Sequence, residues 1–127
     1  MLANTERRAL NRLEIPSAEV FYKTLKRFNL TSTLTGPTNL VNISKSGACF
    51  VSKNYMAKGS EVMLKIFLPE KNPLSIKAKT VWSSENHESS QTYVGVQFKP
   101  FGEGKGYNSF KSKEILEQLY KTYDNKN

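Results

Sequence analysis

Leu74-Ser75-Ile76-Lys77-Ala78-Lys79-Thr80-Val81-Trp82 is the stretch that decides the fold class. Leu74, Ile76, Ala78, Thr80 and Trp82 fall on one face, and Ser75, Lys77, Lys79 and Val81 on the other. A period of two marks a strand with one side against a core. On this reading Trp82 is a core residue; the alternative is a ligand platform. Upstream, residues 62–68 form a strongly apolar strand that ends at Pro69, and a charged loop runs over 69–73. Downstream, 83–90 reads as a polar hairpin loop and 92–98 as the last strand, with Tyr93, Val94, Val96 and Phe98.

The same signal extends towards the N-terminus. Residues 18–23 carry Val20, Phe21 and Tyr22, and 25–34 is rich in Thr and apolar residues. Gly36-Pro37-Thr38-Asn39 reads as a turn cluster. Leu40-Val41-Asn42-Ile43 is a short strand, Gly47 breaks it, and 48–52 is another. Residues 57–60 form the next turn. Strands at this spacing, separated by Gly, Pro and Asn, argue for an antiparallel barrel or sandwich. Gly102–Gly106 reads as a hinge. Beyond it, 113–123 is a helix whose Ile115, Leu116, Leu119, Tyr120 and Tyr123 make an apolar stripe, with Glu117 and Lys121 paired four apart. The stripe is expected to pack on the barrel. The 127 residues fit a single domain: a basic arm over 1–12, a barrel over 13–101, and the hinge and helix over 102–127.

The net charge is +8, which favours anionic partners. Only four of the 19 basic residues are arginine, and Arg7, Arg8 and Arg12 lie within the first dozen positions. Lysine is a hydrated point charge, whereas arginine is a planar fork that bonds phosphates and the O6/N7 edge of guanine in pairs. Arg8 and Arg12 share a side whether the arm is helical or extended, so both can reach one ligand. Arg7 could take a phosphate from the neighbouring side. The alternative is a solvated arm pairing with Glu6 and Glu14.

A second segment, Asn42-Ile43-Ser44-Lys45-Ser46-Gly47, has a different character. Asn42 offers an acceptor and a donor, Ser44 a small hydroxyl, and Gly47 a backbone that turns tightly and admits close approach. These are also ordinary turn residues. The turn and the site can be one object.

An Arg-x-x-x-Arg arm followed some thirty residues later by Asn-x-Ser-x-x-Gly resembles the PilZ domain family. The likeness covers about the whole chain. The run from Leu40 to Phe50 resembles that family's second strand pair, and 78–82 and Tyr93-Val94-Gly95-Val96-Gln97-Phe98 its later strands. The resemblance implies a six-stranded antiparallel β-barrel with a C-terminal α-helix that binds cyclic di-GMP, a bacterial second messenger. It further implies that Arg8 and Arg12 clamp guanine edges and phosphate, with Arg7 beside them. Asn42 and Ser44 would bond the ligand from the barrel face, and Gly47 would admit it. The family accepts Asp or Asn at position 42; Asn brings less charge-assisted bonding. The expected action is a switch: an arm that is loose without ligand orders against the barrel and alters a surface seen by an unidentified protein partner in motility, adhesion or biofilm control.

Other functions find little support. His87 is the sole histidine, in the polar loop, and Asp124 the sole aspartate, near the tail. No Ser-His-Asp or Cys-His arrangement is suggested, so an enzyme is not expected, and no cofactor is implied. One His and one Cys exclude a protein-only zinc site of the usual ligand count. Gly102-Glu103-Gly104-Lys105-Gly106 lacks Walker spacing. Cys49, in the run Ala48-Cys49-Phe50-Val51, reads as a core thiol. No apolar run approaches the ~20 residues of a membrane span, and a cytoplasmic setting is expected. Two readings stand beside the receptor. One is a nucleotide-independent adaptor in pilus or flagellar assemblies. The other is a basic barrel that binds single-stranded nucleic acid; the placement of the aromatics at apolar strand positions counts against it.

Overall fold

Each strand turns an apolar row inward, and closing the sheet leaves that row no exit to solvent. The computed structural model describes residues 12–25, 34–69, 71–86 and 91–123. Among these are β1 (Glu19–Thr24), β2 (Thr35–Ile43), β3 (Gly47–Ser52), β4 (Glu61–Phe67), β5 (Leu74–Asn86), β6 (Gln91–Phe98) and α1 (Phe110–Tyr123). The strands close into an antiparallel barrel in the order β1-β2-β3-β6-β5-β4. Val20, Ile43, Phe50, Leu64, Ile66, Leu74, Ile76 and Val94 fill its interior. Closure matters because an open sheet presents unpaired N–H and C=O groups at its edges.

The expected six-stranded barrel with a C-terminal helix is therefore present, and the differences lie in local geometry. Gly36-Pro37-Thr38-Asn39 is part of β2 and not a turn. The β1–β2 register runs Val20↔Thr38 and then Tyr22↔Thr35, so β2 spends one residue more than its partner. Such a bulge takes glycine and proline without loss of a ladder bond. Gly36 has φ 151°, and a Cβ there would lie 2.6 Å from the Val20 carbonyl oxygen. The segment 83–86, read as loop, continues β5 opposite 91–94 of β6. Leu25 and Leu34 lie outside the strands; positions 26–33, part of the Thr-rich stretch, fall outside the described residues, as does His87.

The helix begins at Phe110, three residues earlier than its apolar stripe suggests. Ser109 caps it, its Oγ accepting from Ser112 N–H at 3.2 Å. Leu116, Leu119 and Tyr120 are buried in the same cluster as the barrel interior, with Ile115 and Tyr123 packed against it. The glycine-rich stretch before the helix is tied to the barrel through Asn108, which is 4% exposed. Its Nδ2 donates to the carbonyls of Lys77 (2.9 Å) and Lys99 (3.0 Å), and its Oδ1 accepts from Lys77 N–H (2.7 Å). One side chain thus stands in for a strand at the β5 and β6 ends. Replacing it by alanine leaves Lys77 N–H and the Lys99 carbonyl without that partner, while the Lys77 carbonyl keeps its bond from Lys99 N–H at 2.9 Å. Asn108→Ala is expected to lower unfolding stability by about 2–4 kcal/mol, read as a lower urea midpoint; a shift near zero would show that water replaces the carboxamide.

Candidate functional site

In a closed barrel, alternation fixes which side chains face out, and only a bulge can change that assignment. Two bulges do so here, and they face the same place. On β2 the register runs Leu40↔Phe50 and then Asn42↔Cys49, so Val41 and Asn42 together oppose Cys49. On β5 it runs Thr80↔Val96 and then Trp82↔Gly95, so Val81 and Trp82 together oppose Gly95. Cys49 pairs with Gly95. The outcome is one straight row across four strands: Asn42, Cys49, Gly95, Trp82. Without the first bulge Asn42 would share the inward face with Leu40. Without the second Trp82 would follow Thr80 into the core.

The reading of Trp82 as core is thus corrected. It is 45% exposed, whereas Leu74, Ile76, Ala78 and Thr80 on the same strand are buried. Its indole lies over Gly95: a Cβ there would fall 2.8 Å from Cζ2 and nearer still to Nε1 and Cε2. Cys49 also departs from expectation. It is buried, but on the outward row, flooring a recess outside the apolar cluster that fills the barrel.

That recess, of ≈ 250 Å³, is lined by Arg12, Asn42, Ser44, Gly47, Trp82 and Gln97, among others. Arg12 reaches it because Leu13 forms a two-bond antiparallel bridge to Ile43 (N···O 2.7 and 2.9 Å) and buries its side chain. The pairing sets Arg12 alongside Ser44. Of the six residues singled out from sequence, Arg12, Asn42, Ser44 and Gly47 therefore converge on one surface. Arg7 and Arg8, with the rest of the arm before Arg12, lie outside the described residues.

Ser44 organises the β2–β3 turn. Its Oγ accepts from Gly47 N–H (3.1 Å) and Ser46 N–H (3.2 Å), while Ser44 N–H donates to the Gly47 carbonyl (2.7 Å). Its hydroxyl proton has only weak uses, towards the Gly47 carbonyl or Ser46 Oγ, both 3.3 Å away. An oxyanion could claim that proton and leave the turn intact. Gly47 serves the neighbouring strand more than the turn: a Cβ would run into the Val96 carbonyl oxygen of β6. Gln97, opposite Gly47, adds a carboxamide to the wall. Trp82 and Gln97 were not singled out from sequence. The available signal was Gly95 in mid-strand, which marks a close approach.

The recess combines a guanidinium, two carboxamides, a hydroxyl and an exposed indole on a small closed barrel. That set makes a barrel with an exterior recess whose side chains suit a planar, anionic ligand. A PilZ domain model matches residues 7–107, a span that takes in all six of the residues singled out. The chain belongs to the PilZ domain family, a family of cyclic di-GMP receptors that are typically non-catalytic. Among solved structures, it is similar to the Bacillus subtilis inhibitor of motility MotI/DgrA, with TM-score 0.61, 15% identity, 87% of this chain covered and 48% of that one. It is similar also to K. pneumonia MrkH in complex with c-di-GMP (TM-score 0.60, 13% identity, coverage 87% and 48%) and in its apo state (0.60, 15%, 88% and 49%). At such identities the likeness concerns the fold, and this chain spans about half the length of those proteins. No curated protein matches it by sequence. No helix among the described residues is long and apolar enough to cross a membrane.

Burial pushes the Cys49 thiol pKa up, and the Arg12 guanidinium offsets part of that rise. A raised folded-state pKa means that folding favours the protonated thiol. Its contribution to stability is complete below the ordinary thiol pKa and is lost as pH rises through the folded value. The pH–rate profile of Cys49 alkylation is expected to have its midpoint above that of a free thiol, and Arg12→Gln should move it higher still. A midpoint unmoved by Arg12→Gln would place the guanidinium away from the recess.

Proposed function

We infer that this domain is a bacterial cyclic di-GMP receptor with no catalytic step, acting in the cytoplasm as a ligand-operated switch. The observation that carries the reading is the convergence of Arg12 with Asn42 and Ser44, thirty residues apart in sequence, on one outward recess. Family membership supports it, as does the likeness in fold to MrkH, which has been solved with c-di-GMP bound. The ligand's chemistry fits the residues. It carries two guanines and two phosphates. Arginine forks suit guanine O6/N7 and phosphate oxygens alike. Asn42 can both donate to and accept from a base edge, and the Ser44 hydroxyl can donate to a phosphate oxygen.

At ≈ 250 Å³ the recess is smaller than the roughly 300–1,000 Å³ of pockets that bury a drug-sized ligand. A second wall is required, and the arm carrying Arg7 and Arg8 is the proposed source. The proposed sequence is that the dinucleotide bridges barrel and arm, and the rearranged surface engages or releases a protein partner.

Isothermal titration of cyclic di-GMP, with GMP as control, tests this. The unmodified protein is expected to bind saturably, and Arg8→Ala and Arg12→Ala each to lose roughly 10- to 150-fold in affinity, the equivalent of one charge-assisted hydrogen bond. Circular dichroism should show the barrel retained. Unchanged affinity in both variants would sink the proposal. Tight binding of an oligonucleotide in place of the dinucleotide would support the nucleic-acid reading, and binding of neither would support an adaptor.

A further inference from the structure

The exposed indole of Trp82 has no evident structural duty. A tryptophan needed for packing is mostly buried, yet this one is 45% exposed, on a strand whose inward row is filled without it. The backbone is bulged to bring it out. Gly95 is bare of the side chain that would displace it: any Cβ there would overlap the ring. One side of the indole is therefore seated on β6 and the rest is open to the recess.

We propose that Trp82 is a stacking platform for a purine base, a binding residue beyond the arginine arm and the Asn-x-Ser-x-x-Gly turn. The geometry sets the two walls apart. Adjacent strands are ≈ 4.7–4.9 Å apart, so Asn42 and Trp82, three strands apart in one row, are about 14 Å apart at the backbone. The indole folds back over Gly95 and shortens the open span to about 10 Å. The floor between is Cys49, a small side chain that leaves the span clear. Arg12 and Asn42 stand on the β2 side and Trp82 on the β5 side. A base lying on the indole keeps its hydrogen-bonding edge directed across the floor towards Arg12 and Asn42. The platform supplies face contact and the polar wall reads the edge. Because every base has a π-face, the indole contributes affinity for purine rings in general, and the choice of guanine rests with the polar wall.

The inference rests on the receptor reading, and the experiment separates the two. Trp82 is the only tryptophan in the chain, so its emission reports on the platform alone. Cyclic di-GMP is titrated while heat and tryptophan fluorescence are followed in parallel. The expected result is quenching that saturates with the heat. Trp82→Ala should weaken binding by roughly 5- to 150-fold, the usual range for loss of one base–aromatic stack, and Trp82→Phe should recover most of it. Heat without any change in emission, or Trp82→Ala binding within twofold of the unmodified protein, would overturn the platform and leave the receptor standing. No heat from the unmodified protein would overturn both.

Discussion

In a closed antiparallel barrel every strand is paired on both sides, and the pleat assigns each residue to the interior or the exterior. A polar side chain on the inward row would be desolvated without partners, and a large aromatic on the outward row would forgo burial. The assignment can be altered only where one strand spends an extra residue. This protein does so twice in one row, at Val41–Asn42 and at Val81–Trp82, on either side of the Cys49–Gly95 pair. The recess depends on that coincidence. Remove either bulge, and Asn42 or Trp82 changes face while the rest of its strand must slip or repack. Site and barrel are thus set by the same register.

The turn at the edge of the recess is joined to the helix that closes the core. Lys45, between the two serines, places its ammonium 5.1 Å from the centre of the Tyr120 ring. Such a contact is worth about 0.5–1 kcal/mol at an exposed site. Ser46 accepts from Phe98 N–H at 2.8 Å, which ties the turn to the end of β6 as well. A shift of Ser44 therefore bears on the two residues that follow it, Lys45 against Tyr120 and Ser46 bonded to Phe98. The helix that Lys45 touches has an exposed face, borne by Lys111, Lys113, Glu114, Glu117 and Lys121. If ligand binding alters a surface, the physical connection runs through this turn.

Much of the architecture was legible because apolar periodicity is local. Val62 to Leu68 is an apolar run broken only by Lys65, Leu74 to Thr80 alternates in sequence as it does in space, and the helix stripe at Leu116, Leu119 and Tyr120 is the buried face. What escaped was set by partner strands. A bulge is a mismatch between two registers, and no single strand's pattern contains it. Hence Trp82 read as core, Gly36-Pro37 as a turn, and 83–86 as a loop. Gly95 was the one local trace, since a glycine amid Tyr93, Val94 and Val96 has no reason in strand propensity. The helix start was missed for a related reason: Ser109 acts through a cap bond, which leaves no mark on hydrophobic periodicity. Arg12, Asn42, Ser44 and Gly47 were legible through spacing, although Gly47 proves to be required by the Val96 carbonyl as much as by the turn.

Cys49 shows how one position can serve the barrel and the proposed ligand together. It lies at the centre of the outward row, so its volume sets the depth of the recess. A Leu or Phe there would fill the floor, and a Ser would bring a hydroxyl into a covered position without an assured partner. A carboxylate would place negative charge beneath a dianionic ligand. The thiol avoids all three. Burial raises its pKa, so the floor stays uncharged at neutral pH even with the Arg12 guanidinium close by. The positive charge of Arg12 is then not spent on an internal anion. Among the described residues Arg12 makes no ion pair, so its charge faces the recess uncommitted to any carboxylate there.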